Sequence, residues 1–150
     1  MNAIPEARPW PRTWPELCLL AHVAAAVFAL RLLLPWIKLK TLVQWLERRR
    51  PTGGADPRVV RKAARYADAL LGRLPRPRSG PCLPRSLILF YFARQQGLPV
   101  QLHCGVRRLG GQLQGHAWLS LHGEPFLEKQ DPRQTYAITF SSSEDEHEPA

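Results

Sequence analysis

A chain of 150 residues with 45% hydrophobic residues is long enough for one domain with a modest core. Its formal charge of +9 favours acidic partners, but the arginines are scattered and no ladder of aromatic and basic residues is present, so we expect no nucleic-acid binding. Its three cysteines form neither a CxxC pair nor a regular framework, which argues against structural zinc and disulfides and indicates a reducing cytoplasm.

The N-terminal third is predicted to hold a proline-rich arm and a helical segment. Residues 1–15 contain several prolines and little periodicity, which predicts an extended arm. Residues 16–50 follow as two helices, one to about Leu34 and a second, amphipathic one after Pro35. The first is rich in Leu, Ala and Val but falls short of a clear membrane span of ~20 apolar residues. We expect a buried helix, with association with a membrane surface as the alternative.

Residues 57–140 are predicted to form the core domain, beginning with two helices. Asp56 before Pro57 is an N-cap followed by a first-turn proline, and the apolar pattern then continues to about Leu74. The stretch PRPRSGP breaks this helix. A further helix is predicted from Cys82 to about Gln96, where Gly97 is a natural stop.

After this helix the pattern changes to the alternation of strands. LPVQLHCGVR predicts a strand, RLGGQLQ a turn and GHAWLSLH a second strand, with PFLEK and TYAITF as two short ones. The second strand places Ala117, Leu119 and Leu121 on one face and His116, Trp118 and Ser120 on the other. The polar, acidic residues 141–150 are expected to be a solvated tail. The predicted fold class is α+β: N-terminal helices, then a helix bearing Cys82 packed on a small antiparallel sheet.

Cys82 at a helix start is a candidate nucleophile. A helix N-terminus favours the thiolate, and a nearby imidazole could take the proton. His116 begins a strand after a glycine-rich turn, which would place it at a sheet edge. Glu128 lies one hairpin away from His116, so the two could be neighbours if the strands pair across Gly123. Asp131 is the alternative acid.

Each of these residues also has an ordinary structural interpretation. A cysteine at a helix start is more often an inert packing residue, a histidine in a strand is usually structural, and a hairpin glutamate is usually solvated. Trp118 lies on the same strand face as His116 and could line a substrate cleft or belong to the core. Arg85, one turn into the helix, could steady the thiolate, but a solvated arginine is expected.

The combination of a helix-start cysteine, GHAW and a following carboxylate resembles the transglutaminase-like superfamily of papain-type cysteine enzymes. CLPRSLILFYFARQQGLPVQLHCGVRR followed by GHAWLSLHGEPFLE is similar to the lasso-peptide leader peptidase family, over about residues 57–140. The resemblance implies Cys82 as nucleophile, His116 as general base and Glu128 as the third, acidic member. The third member of that family is often Asp, which keeps Asp131 open.

The resemblance also implies a role and partners. The substrate would be a ribosomally made precursor peptide, whose leader is hydrolysed before a macrolactam synthetase closes the ring. No leader-binding module is recognisable here, so a separate leader-recognition protein is expected. No metal or organic cofactor is needed. The rivals are a transamidase of the same superfamily and a non-catalytic basic scaffold, in which Cys82 only packs. The expected location is the cytoplasm, with peripheral membrane contact as the alternative.

Overall fold

The computed structural model describes residues 11–75 and 80–142, which form helices followed by a four-stranded antiparallel sheet. The helices are α1 (Trp14–Leu33), α2 (Leu39–Glu47), α3 (Pro57–Leu71) and α4 (Cys82–Gln95). The strands are β1 (Val100–Leu109), β2 (Gln112–Leu121), β3 (Glu124–Phe126) and β4 (Ala137–Ser141), with a 3-10 turn at Pro132–Gln134. The predicted α+β class is therefore confirmed. Most of the predicted arm, the centre of the PRPRSGP stretch and most of the acidic tail lie outside the described residues.

Local sequence signals explain where the core helices begin and end. The Asp56 side chain accepts a hydrogen bond from the Arg58 N–H at 2.8 Å, as an N-cap does, and Pro57 occupies the first turn of α3. α4 begins at Cys82, as predicted. Gly97 has a φ of +76°, a conformation open to glycine, and it leads the chain out of α4 towards β1.

α1 is buried along one face only. It begins two residues before its predicted start, and Val23, Val27 and Leu30 are its buried side chains. This face packs against α3 and α4. By length and composition, α1 is the one helix among the described residues that could cross a membrane.

The sheet has the order β3-β2-β1-β4. β1 and β2 pair from Val100 with Leu121 to Leu109 with Gln112. The turn between them is narrower than the predicted RLGGQLQ segment, because Gly110 and Gly111 both have positive φ and close a two-residue hairpin. This long hairpin is the scaffold that carries His116.

α4 packs on one face of the sheet and forms most of the core. Leu87, Ile88 and Phe90 of α4 are fully buried together with Leu102 of β1 and Leu119 of β2. The opposite face of β2 is closed as well. The predicted alternation holds for side-chain direction, but the residues from Ala117 to Ser120 are all buried.

The outer edge of β2 changes partner next to His116. The predicted pairing of residues 116–122 with 124–130 extends only from Leu121–Glu124 to Leu119–Phe126. Beyond it the chain turns away at Leu127, which has a φ of 60°. The N-terminal part of α4 takes the vacated edge, where the Ser86 hydroxyl donates to the Ala117 carbonyl at 2.8 Å. The start of α4 is thereby fixed beside the strand that carries His116.

Candidate active site

Cys82 is the first residue of α4, and three neighbouring groups favour its thiolate. These are the imidazole of His116 and the backbone N–H groups of Ala117 and Leu83. The hydrogen bond with His116 is the main reason why the pKa of Cys82 is lowered, against the opposing effect of burial. The Ala117 N–H is available because β3 no longer covers that edge of β2.

His116 lies between the thiol and a carboxylate. Its Nε2 is 3.4 Å from Oε2 of Glu128, which leaves Nδ1 for the thiol. The hydrogen bonds with Cys82 and then Glu128 raise the pKa of His116 to about 9, although burial of the ring opposes this. A lowered thiol pKa beside a raised imidazole pKa favours a thiolate–imidazolium pair near neutral pH.

Glu128 is the carboxylate that contacts His116, and Asp131 has a different partner. The Glu128 side chain is 14% exposed and follows Leu127, where the chain turns. Asp131 instead accepts hydrogen bonds from Arg133 at 2.8–3.1 Å, and this guanidinium lowers the pKa of Asp131. The geometry therefore favours Glu128 over Asp131 as the partner of the imidazole.

Arg85 connects Glu128 to α3. Its Nε is 2.6 Å from Oδ1 of Asp68, and its Nη1 is 3.5 Å from Oε1 of Glu128. The expectation of a solvated arginine was wrong, because the side chain is only 25% exposed and lies between two carboxylates. Arg85 reaches Glu128 rather than the thiolate. The position of Arg85 one turn after Cys82 indicates that it lies near the site. Nothing in the sequence indicates its contact with Asp68, which is on another helix.

Aromatic rings support the imidazole of His116. The Trp118 ring is 1% exposed and stacks against it with centroids 5.9 Å apart. Trp118 therefore packs beneath His116 and does not form the open wall of the cleft. Tyr136, which sequence reasoning missed, lies 5.2 Å from the imidazole and lines the cleft, with the Arg107 guanidinium 4.9 Å from its ring centroid.

The cleft in front of these groups is open and has a volume of about 570 Å³. Cys82, His116 and Glu128 all line it, and Asp131 and Tyr136 lie further along it. The candidate nucleophile, base and acid therefore share one open cleft. The arrangement can carry out nucleophilic attack on a carbonyl, with proton transfer by the imidazole.

The other cysteines and histidines in the described residues have different surroundings. Burial raises the pKa of Cys104 to about 11, with a further contribution from the charge of Cys82. Cys18 is exposed on α1. His103 hydrogen bonds to Ser120 and Ser141, and its pKa is lowered by burial and by the charge of Arg133. Within residues 11–75 and 80–142, no group of three or more His, Cys, Asp or Glu side chains could hold a metal ion. His147 lies outside the described residues.

Comparison with known proteins agrees with the fold. The family model described as the transglutaminase-like superfamily matches residues 17–141, a range that includes α1 and α2 as well as the sheet. No curated protein and no solved structure matches the chain. The matched range covers most of the chain and contains Cys82, His116 and Glu128, and the chain belongs to the transglutaminase-like superfamily.

Proposed function

We propose that this protein is a cysteine peptidase that removes the leader from a ribosomally made lasso-peptide precursor. The observation that carries the proposal is the Cys82–His116–Glu128 arrangement at an open cleft. Its superfamily includes cysteine peptidases and transamidases. The CLPRS and GHAW motifs, which resemble those of leader peptidases, support the narrower assignment.

The proposed reaction is hydrolysis of one amide bond. The Cys82 thiolate attacks the scissile carbonyl carbon and forms a tetrahedral oxyanion, for which the Cys82 backbone N–H at the helix start is a donor. The oxyanion collapses, the C–N bond breaks and the His116 imidazolium gives its proton to the departing amine. Neutral His116 then takes a proton from water, whose oxygen attacks the thioester. The C–S bond breaks, which releases a carboxylic acid and returns the thiolate and the imidazolium.

Glu128 has a positioning role in this scheme. Its carboxylate holds the Nε2–H of His116, so that Nδ1 faces the sulfur. The same negative charge stabilises the imidazolium. Arg85 in turn holds the second oxygen of Glu128 and anchors it to Asp68 of α3.

The partners in this proposal are the precursor peptide, a separate leader-recognition protein and a macrolactam synthetase that acts after cleavage. We place the reaction in the cytoplasm. The basic surface of the chain, with a formal charge of +9, is suited to an acidic leader or to the recognition protein.

The test is incubation of a cognate precursor peptide with its leader-recognition protein and either the wild-type protein or Cys82→Ala. Mass spectrometry should show one cleavage with the wild type, with the mass of one water added across the products, and none with the variant. Attachment of an added amine to the new carboxyl end would indicate the transamidase instead. Equal cleavage by Cys82→Ala would remove Cys82 as the nucleophile.

A further inference from the structure

α1 carries an exposed apolar face that no other part of the described chain covers. Its residues recur every three or four positions and therefore lie along one side of the helix and the turn after it. They are Trp14, Cys18, Ala21, Ala25, Phe28, Leu32 and Trp36, and we call this set the α1 stripe. Trp14 is 76% exposed, Leu32 72% and Trp36 87%, and the stripe contains no charged residue.

The opposite face of α1 is fixed to the domain, so the helix lies along the surface. Val23 and Val27 are buried, the Glu16 carboxylate is 2.6 Å from Lys62 of α3, and His22 Nε2 is 2.8 Å from the Tyr91 hydroxyl of α4. A membrane-spanning orientation would carry α3 into the hydrocarbon with its exposed arginines, at a high cost. The α1 stripe can meet a lipid surface only with α1 parallel to it.

The exposed charges of the segment that carries the stripe have one sign. Every charged residue classed as exposed between Trp14 and Arg50 is basic; these are Lys38, Lys40, Arg48, Arg49 and Arg50. The acidic residues of this segment are partly buried. A positive surface beside an apolar stripe is complementary to an anionic membrane and repels a positively charged partner surface.

α2 extends the apolar face towards these charges. A hollow of about 270 Å³ lies between the two helices, lined by Ala29 and Leu33 of α1 and by Trp45 and Arg49 of α2. The Arg49 guanidinium is 4.6 Å from the centre of the Trp45 ring. Tryptophan beside Arg or Lys at the border of an apolar face is typical of helices that lie in the interface of a bilayer.

We propose that the α1 stripe docks this protein on an anionic lipid surface, with α1 parallel to the membrane plane. Phe28 and Leu32 enter the boundary between headgroups and acyl chains, and Trp14 and Trp36 lie at headgroup level at the two ends. The basic residues of α2 and its flanks contact the anionic headgroups. This role does not depend on the reaction at Cys82.

The test is flotation of the full chain with lipid vesicles. We expect the protein to bind phosphatidylcholine vesicles that contain phosphatidylglycerol and to bind vesicles of phosphatidylcholine alone more weakly. Added salt should remove the extra binding to the anionic vesicles, because it screens the attraction between charges. Leu32→Glu removes an inserted leucine and adds a negative charge, so its partition coefficient should fall at least about tenfold. Leu113→Glu is the matched control, because Leu113 of β2 is 70% exposed and lies outside the stripe.

A second measurement tests whether the α1 stripe contacts the lipid, without introducing a charged residue into it. Cys18 is made the single thiol through Cys82→Ser and Cys104→Ser and is labelled with an environment-sensitive fluorophore. Its emission should shift to the blue when the anionic vesicles are added. Far-UV circular dichroism of all variants checks that they are folded.

The proposal is overturned if the wild type binds neither vesicle, or if Leu32→Glu and Leu113→Glu float as well as the wild type. It is also overturned if the purified wild type is a lipid-independent dimer that Leu32→Glu dissociates, since the stripe would then bind a second copy. If the labelled protein binds the vesicles but the emission of the fluorophore on Cys18 does not shift, the contact lies elsewhere on the protein and the proposal fails. None of these outcomes bears on peptide cleavage, so the two proposals fail separately.

Discussion

Replacement of Glu128 by Gln should lower the pKa of His116. The amide keeps an oxygen that can accept the Nε2–H but removes the negative charge that stabilises the imidazolium. The Cys82 thiol also raises this pKa, so the effect of Glu128 is best isolated in a Cys82→Ala background. A carboxylate beside an imidazole raises its pKa, and its loss must therefore lower it.

The size of the shift follows from the geometry. Unit charges 3.4 Å apart attract by about 1 kcal/mol in water and about 5 kcal/mol at an effective dielectric constant of ~20. The site lies between these limits, because the His116 side chain is 26% exposed and Arg85 Nη1, 3.5 Å from the other oxygen, compensates part of the Glu128 charge. We expect about 1.5–3 kcal/mol, which corresponds to roughly one to two pKa units.

The assay is a pH titration of the carbon-bound imidazole protons by NMR, with the His116 resonance assigned by its loss in His116→Gln. Asp131→Asn is the matched control, because it removes the same charge from the same cleft while its own partner is Arg133. The control should leave the pKa of His116 unchanged. A fall caused by Asp131→Asn and not by Glu128→Gln would refute the assignment of the orienting carboxylate.

Two further predictions concern pH and packing. Peptide cleavage should decline above about pH 9, where His116 loses the proton needed by the leaving amine. On the acid side, cleavage should persist at pH values below the usual pKa of a cysteine thiol, because the pKa of Cys82 is lowered. A pH profile of kcat/KM that rises steadily through pH 9 would contradict this. Gly105→Ala should destabilise the fold by about 1–3 kcal/mol in urea denaturation, because its new Cβ would lie 2.9 Å from the Trp118 ring and from a β4 carbonyl. Gly54→Ala, which meets open space, should have little effect, and an equal loss in both variants would count against the packing argument.

Local signals made much of the fold predictable. Asp56 with Pro57, the stop at Gly97 and the change from helical to alternating periodicity each depend on the conformation of a few neighbouring residues. The same holds for Cys82 at the start of α4. These features could be predicted because short-range sterics and hydrogen bonds determine them.

The candidate site was predictable where residues are neighbours through a hairpin. His116 and Glu128 were expected to meet because β2 and β3 pair across Gly123, and they do meet, although β3 ends at Phe126. The early end of β3 has no local signal. It depends on the left-handed conformation of Leu127 and on α4 occupying the adjacent edge of β2.

Contacts between distant elements were not predictable. Asp68 of α3 reaches Arg85 of α4 only because the two helices pack side by side. Trp118 alternates correctly along β2, yet its ring is buried because Tyr136 and His116 cover it. Burial on both faces of a strand depends on tertiary packing, and the alternation of residues along the strand does not predict it.

The uncovered face of α1 has a similar origin. Its sequence is apolar around most of the helix, with only Glu16, His22 and Arg31 as polar interruptions, so the pattern alone favours a buried helix. Only the packed structure distinguishes the face of Val23 and Val27 from the face of Phe28 and Leu32. The exposed face is therefore a result of how few elements the domain has to cover it.

The most direct test of the account is the rate at which iodoacetamide alkylates each of the three cysteines near neutral pH, followed by mass spectrometry of the digested protein. Cys82 should be modified first, and His116→Gln should slow it, because the hydrogen bond with His116 is the main cause of its lowered pKa. Cys104, with a pKa of about 11, should lag far behind, and exposed Cys18 should also be slower than Cys82. Equal, slow labelling of all three cysteines would contradict an activated thiol and favour a scaffold in which Cys82 only packs.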